Sequence, residues 1–212
     1  MKTPEHPIFL ESIKYIRSKL GITELHTVQQ SILERIIHSS GDFELQSRIR
    51  FSPLACEEAV RALQNGAKIL TDTYMAKAAI APMAKRTINS EIQCILDMAP
   101  ESIDSSVTTR SAVGLRKIWL DCVEKDNLLN PPLVVIGSSP TALITLLDLV
   151  EKGYKIPSLI IGMPVGFIGV EESKNRLLKS EYPHIILEGS KGGASLAAAA
   201  TNALLRFAEN LN

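Results

Sequence analysis

Short apolar runs alternate with helical segments throughout the second half of the chain. The apolar runs cover residues 133–136, 158–161 and 185–187, and helical patterns follow them over 140–150, 170–180 and 192–210. Strands this short and this apolar are typical of a parallel sheet that helices cover on both faces. Each strand–helix–strand unit is expected to be right-handed. The sequence therefore predicts an α/β fold.

The first half of the chain has a mainly helical pattern. Helices are predicted over residues 7–20, 23–38 and 54–65, each closed by a turn that contains glycine, and within 104–124. Strands are predicted at 67–72 and 91–96, and an extended segment at 43–51. We therefore expect one α/β domain over residues 1–212, with a mainly parallel sheet flanked by helices and a helical N-terminal part.

Composition excludes several classes of partner. Apolar residues make up 45% of the 212 residues, and 23 Lys and Arg balance 23 Asp and Glu, so the basic surplus of a nucleic-acid binder is missing. No apolar run approaches the roughly eighteen residues of a membrane span, and residues 1–7 lack the apolar core of a signal peptide. The cysteines (Cys56, Cys94 and Cys122) lack close spacing. We expect a cytoplasmic protein with reduced thiols and neither nucleic-acid nor membrane partners.

Three glycine-containing loops follow the predicted strands of the second half. They cover residues 137–141, 162–167 and 188–193. Ligands of open parallel sheets bind beyond the carboxyl ends of the strands, where backbone N–H groups at helix starts attract anions. The alternative is that these glycines only make tight turns. None of the loops has a P-loop or a dinucleotide-binding pattern.

His38 is the titratable residue of greatest interest. Histidine has the unperturbed pKa closest to neutrality, so it can both donate and accept a proton in catalysis. His38 ends an apolar helix before a polar turn, and Arg35 lies one helical turn earlier on nearly the same face. The alternative is a histidine that interacts with the negative end of its own helix. The pattern alone favours this structural role.

Arginine and other polar residues give weaker signals. Arg110 precedes a long helix and could bind a carboxylate through both guanidinium edges, or it could remain solvated. Asp72 ends a predicted strand and could orient a base or cap the next helix. The other histidines (His6, His26 and His184) are interpreted as surface or packing residues, and the four histidines form no closely spaced pair typical of a metal site.

Several short segments occur in a distinctive order between Phe9 and Leu205. They are Ser12 with Ile16-Arg17, Arg35-Ile36-Ile37-His38 with Gly41, Asp72 with Met75, Thr109-Arg110-Ser111-Ala112, Ile136-Gly137 with Pro140-Thr141-Ala142-Leu143, Gly162-Met163-Pro164-Val165-Gly166-Phe167 with Glu172-Ser173-Lys174, and Lys191-Gly192-Gly193 with Ala198-Ala199-Ala200 and Asn202-Ala203-Leu204. In these segments the chain resembles the precorrin-8X methylmutase family, also called cobalt-precorrin-8 methylmutase, of cobalamin biosynthesis. The Pro-Val-Gly-Phe and Glu-Ser-Lys combination is the most specific part.

The resemblance implies a homodimeric isomerase of corrin ring biosynthesis that needs no cofactor. Its reaction moves a methyl group to a neighbouring ring carbon and converts precorrin-8X or cobalt-precorrin-8 to hydrogenobyrinate or cobyrinate. In the family, a histidine at the place of His38 is the acid–base residue, and substrate contacts fall at the places of Ser12 and Arg35. With Arg110 as a carboxylate ligand, these residues form the expected site. Protonating the macrocycle eases the migration, and the proton is recovered afterwards.

The chain departs from the family pattern in two of its loops. Over residues 137–143 the family usually has Gly-Asn-Ala-Pro-Thr-Ala-Leu, and here Ser138 and Ser139 replace the asparagine and the alanine. The family also usually has arginine at the place of Ser190. These departures fall among the expected contacts to the carboxylates of the substrate. They motivate one alternative, a corrinoid-binding protein without catalysis. A further alternative is an unrelated α/β enzyme that binds a phosphorylated metabolite at the strand-end loops.

Overall fold

A six-stranded sheet forms the centre of the molecule. The computed structural model describes residues 6–104, 106, 108–125 and 130–210. Its strands are β1 (Ile49–Phe51), β2 (Ile69–Thr71), β3 (Ile92–Cys94), β4 (Leu133–Ile136), β5 (Leu159–Gly162) and β6 (His184–Leu187), in the order β1-β6-β5-β4-β2-β3. Strands β2 to β6 run parallel, and β1 pairs antiparallel with β6 at one edge. The predicted mainly parallel sheet is confirmed.

Helices cover both faces of this sheet. They are α1 (Pro7–Leu20), α2 (Thr27–Ser40), α3 (Leu45–Arg48), α4 (Ala55–Gln64), α5 (Tyr74–Arg86), α6 (Arg110–Lys125), α7 (Pro140–Glu151), α8 (Val170–Leu178) and α9 (Ala194–Asn210), with a 3-10 helix at Ile95–Met98. Among the described residues no helix is both long and apolar enough to cross a bilayer. The first five residues, which contributed to the prediction that no signal peptide is present, lie outside the described part.

Alternate residues of the strands point into two separate hydrophobic cores. In β4, Leu133 and Val135 belong to one core, and Val134 and Ile136 belong to the other. The first core is completed by α1, α2, α4, α5 and α9, and the second mainly by α6, α7 and the 3-10 helix. Because successive side chains of a strand face opposite ways, a strand buried on both faces must be apolar throughout. This explains the unbroken apolar runs in the sequence.

Helix α9 lies at the centre of the first core. Its residues Ala197, Ala198 and Ala200 are almost completely buried, and the helix contacts α2, α4 and α5 as well as β4 and β5. Small side chains allow neighbouring helix backbones to approach closely, and alanine has the highest helix propensity. The alanine run therefore packs within the chain, against both helices and sheet.

Two predictions for the first half of the chain were wrong in detail, and one helix was missed. The helix predicted to start at Thr23 begins at Thr27, and the Thr23 hydroxyl donates to the side chain of Gln30 at 2.5 Å instead of capping the helix. The segment predicted to be extended over 43–51 contains α3 before β1. The helix α5 was not predicted, although Thr73 caps it by accepting a hydrogen bond from Ala76 N at 3.2 Å.

Candidate active site

The loops after β4, β5 and β6 lie side by side at the carboxyl edge of the sheet. We call them the β4 loop (residues 137–139), the β5 loop (163–169) and the β6 loop (188–193). A Cβ atom at Gly137 would lie 2.6 Å from Ala194 Cα, and one at Gly192 would overlap the Met163 carbonyl. Gly193 N donates to the Met163 carbonyl oxygen at 2.9 Å. Contact between loop backbones is sufficient to explain these glycines, without any bound anion.

Three of the four predicted site residues lie together at the interface of α1 and α2. Ser12 Oγ is 2.7 Å from His38 Nδ1. The ring of Phe9 packs edge-on against the His38 imidazole, with 4.9 Å between centroids, and the Arg35 guanidinium lies 4.6 Å from the Phe9 centroid. His38 is exposed, whereas Ser12 and Arg35 are half-buried. Because Ser12 occupies Nδ1, Nε2 is the ring nitrogen open to a substrate.

An ion pair between the exposed Arg17 side chain and the buried Glu34 carboxylate joins α1 to α2, the helices that carry Ser12 and His38. The Arg17 guanidinium donates to both carboxylate oxygens of Glu34, at 2.7 and 2.9 Å, and Glu34 is only 2% exposed. Gln30 donates to the same carboxylate at 2.9 Å. A carboxylate at this depth is costly without donors. The ion pair therefore adds to the apolar packing of α1 against α2.

A lysine clasp joins the end of α2 to the β6 loop. Helix α2 ends at Gly41, which has a left-handed φ of 68°. The Lys191 ammonium then binds Asp42 at 2.5 Å and Glu44 at 2.8 Å, and its hydrogen bond lowers the pKa of the Asp42 carboxyl. The clasp holds the His38 end of α2 at the carboxyl edge of the sheet. Sequence reasoning missed it, because 149 positions separate Lys191 from Asp42.

Asp72 supports the β4 loop and does not cap α5. Its Oδ2 accepts hydrogen bonds from Ser138 N at 2.6 Å and from Ser139 N at 2.8 Å. Burial raises the pKa of the Asp72 carboxyl, and the loop N–H groups oppose that rise. The buried carboxylate therefore fixes the start of the loop that leads into α7.

Arg110 stands apart from the group around His38. It is the first residue of α6, and its Nε donates to the Pro100 carbonyl at 2.9 Å. The neighbouring Thr109 touches Thr141, close to the β4 loop. Strand β5 separates β4 from β6, and α6 packs on the opposite face of the sheet from α1 and α2. Only a broad ligand could contact both Arg110 and the residues around His38.

Lys174 is a buried cation that the sequence analysis named only as the last residue of the Glu172-Ser173-Lys174 motif. It is 1% exposed, and its Nζ donates to the carbonyl oxygens of Gly189 at 2.8 Å and Lys191 at 2.7 Å. Burial lowers the pKa of the ammonium group to about 8. Lys174 therefore ties α8 to the β6 loop.

Apolar side chains of the β5 loop project from the same edge. Phe167 and Ile168 are each 89% exposed, and Val165 is 49% exposed. Adjacent apolar side chains this exposed are typical of a surface that binds a ligand or another protein. Within the described ranges, no group of three or more His, Cys, Asp or Glu residues could hold a metal ion.

The chain is similar to known proteins over almost its full length. The model of the precorrin-8X methylmutase family matches residues 7–207. The cobalt-precorrin-8 methylmutase of Synechocystis sp. is 36% identical over 96% of both chains, and the precorrin-8X methylmutase of Pseudomonas aeruginosa is 36% identical over 93% of both. The crystal structure of precorrin-8x methyl mutase from Thermus thermophilus superimposes with a TM-score of 0.84 at 34% identity, over 96% of both chains. The similarity thus extends across every layer of the fold.

Proposed function

The chain belongs to the precorrin-8X methylmutase family of methyl-shift isomerases, and from this premise we propose that His38 is its acid–base residue. In the same proposal, Ser12, Arg35 and Arg110 contact a corrinoid substrate of the precorrin-8X type. The single methylmutase domain covers residues 1–212 and acts in the cytoplasm. The protein supplies no cofactor of its own to the reaction.

The contact between Ser12 and His38 carries this assignment. A serine hydroxyl 2.7 Å from Nδ1 fixes the orientation of the imidazole and selects which nitrogen faces outward. A histidine that only stabilised its own helix end would need no such partner from another helix. Phe9 restricts the ring further by packing against it. An imidazole oriented in this way by Ser12 and Phe9 is expected of an acid–base residue.

In the proposed reaction His38 donates a proton to the macrocycle and later accepts it back. Protonation through Nε2 draws electron density from the ring, so the bond between the methyl group and its original carbon breaks as a bond to the neighbouring carbon forms. The proton then returns to His38, and substrate and product are isomers. Arg35 and Arg110 balance the negative charge of the substrate carboxylates at two separated positions. A ligand that contacts both arginines must be broad, as a tetrapyrrole is, because they lie on helices of opposite faces of the sheet.

We further propose that the protein is a homodimer, as the family resemblance implies. The exposed apolar side chains of the β5 loop support this, because monomeric proteins rarely leave such groups uncovered together. Sedimentation equilibrium is expected to give twice the chain mass of 23.2 kDa. A single species at the chain mass would contradict the dimer.

The function is tested by incubating the protein with metal-free and with cobalt-bound precorrin-8 while recording absorbance spectra. Conversion of at least one form to the cobyrinate-type product is expected, and the preferred form identifies the substrate. Tight binding of the product without conversion would instead establish a corrinoid-binding protein. Competition by simple phosphates without corrinoid binding would favour an enzyme of phosphorylated metabolites. Either result would overturn the proposed function.

A further inference from the structure

Four side-chain hydroxyls form a closed ring beside the β4 loop. Thr109 Oγ1 lies 2.6 Å from Thr141 Oγ1, which lies 3.0 Å from Ser139 Oγ. Ser139 Oγ lies 2.6 Å from Ser111 Oγ, and Ser111 Oγ lies 3.2 Å from Thr109 Oγ1. We call these four residues the hydroxyl ring. Because each hydroxyl has one proton and two lone pairs, each can donate to the next around the cycle.

The hydroxyl ring joins the N-termini of two helices. Ser139 caps α7 by accepting a hydrogen bond from Ala142 N at 3.2 Å, and Thr109 accepts one from Ala112 N in the first turn of α6, also at 3.2 Å. All four ring residues are half-buried. Hydrogen bonds in such a cycle strengthen one another, so the loss of one hydroxyl weakens the others. The starts of α6 and α7 are thus held as one unit.

Arg110 lies between two residues of this ring. Thr109 and Ser111 flank it in sequence, while its side chain is held on the Pro100 carbonyl at 2.9 Å. Ser139 is anchored in turn, because its backbone N–H donates to the buried Asp72 carboxylate at 2.8 Å. A continuous path of hydrogen bonds therefore leads from the end of β2 through Ser139 to the backbone around Arg110.

We propose that Ser139 is a positioning residue that sets the place of Arg110, and through it the affinity for a carboxylate of the substrate. This inference rests on the proposed function, because it takes Arg110 as a substrate contact. Charge-assisted hydrogen bonds to a carboxylate depend on geometry, so a small shift of the α6 start weakens them. The contacts of Ser139 are with Ser111, Thr141, Ala142 and Asp72 rather than with the residues around His38, so it acts on binding and not on proton transfer.

The kinetic test is a double-mutant cycle of Ser139→Ala and Arg110→Ala. Ser139→Ala is expected to raise KM for precorrin-8 about fivefold while leaving kcat nearly unchanged, and Arg110→Ala to raise KM about tenfold or more. In the Arg110→Ala background, Ser139→Ala should have no further effect on KM. Ser139→Thr should restore KM, because threonine keeps the hydroxyl and caps helices. Fully additive effects on KM would overturn the proposal.

A second measurement needs no substrate. Amide hydrogen exchange in the first turn of α6 is expected to be faster in Ser139→Ala than in the parent protein. Thr145→Ala is the matched control, because it removes a half-buried hydroxyl that donates to the Thr141 carbonyl at 2.8 Å, outside the ring. That variant should change neither exchange at α6 nor KM. Unchanged exchange in Ser139→Ala would refute the ring as a support of α6, whereas absence of turnover by the parent protein would refute the function separately.

Discussion

Replacing His38 with alanine is expected to lower kcat for methyl migration by about 100- to 10,000-fold, the range that acid–base catalysis contributes. The variant retains Arg35, Arg110 and all three strand-end loops, so it should still bind the substrate with a KM close to that of the parent protein. The loss falls on kcat because the proton is needed only as the methyl group moves. The measurement is the rate of the absorbance change with precorrin-8 at saturating concentration.

The matched control for this variant is His26→Ala. His26 is an exposed histidine at the opposite end of the same helix, α2. Its replacement should leave kcat unchanged, and circular dichroism should show that both variants remain folded. Turnover by His38→Ala at the parental rate would remove the acid–base assignment while leaving the family membership untouched.

Replacing Lys174 with alanine is expected to lower the free energy of unfolding by about 2–4 kcal/mol. The carbonyl oxygens of Gly189 and Lys191 would both lose their donor in a buried place, and a cavity would replace the aliphatic stem. Urea denaturation measures the change. Lys117→Ala, which removes an exposed lysine from α6, should change stability by less than about 0.5 kcal/mol. Equal effects of the two variants would contradict the role given to Lys174.

A second variant, Lys174→Met, removes the ammonium donor but keeps most of the side-chain volume. The role of Lys174 can then be tested by how the stability of this variant and of the parent protein depends on pH. The folded pKa of Lys174 is about 8, below its ordinary value of 10.5. Between these values the unfolded chain binds more protons than the folded chain at this residue, so its contribution to stability becomes more favourable as pH rises from about 8 to 10.5. The methionine variant lacks this contribution. The stability difference between parent and Lys174→Met should therefore grow in favour of the parent over that range.

The second half of the fold could be predicted from the sequence because its signals are local. Each predicted strand and helix there agrees with the structure to within two residues at either end, as in β4, which occupies 133–136 in both. Apolar runs buried on both faces leave little freedom in where a strand begins or ends. The first half was predicted less well. The prediction started α2 at Thr23, a residue type that favours helix N-caps, whereas the cap is His26, whose N–H donates to the side chain of Gln29 at 3.1 Å. Helix α3 has only four residues, too few to show a helical pattern in the sequence.

The candidate site was predictable only in part, for a related reason. The helical pattern favoured a structural role for His38, and the family resemblance was needed to reverse that preference. The contact of His38 with Ser12 spans 26 positions in the sequence. The partners of Lys174 are backbone carbonyls, which every residue type has, so the sequence does not indicate them. Ser139 was recognised only as a departure from the family pattern. The structure gives that serine a helix cap and a place in the hydroxyl ring.

The backbone contacts among the strand-end loops limit how this protein could be redesigned. A combinatorial library that randomises Gly137 or Gly192 would lose most of its members, because any side chain there meets the backbone of another loop. The outer face of α1 carries no such restriction, since Ile8 and Leu10 are exposed beside Phe9 and Ser12. Directed evolution toward altered macrocycles should therefore begin on this helix, where the scaffold tolerates new shapes and the reacting proton is close.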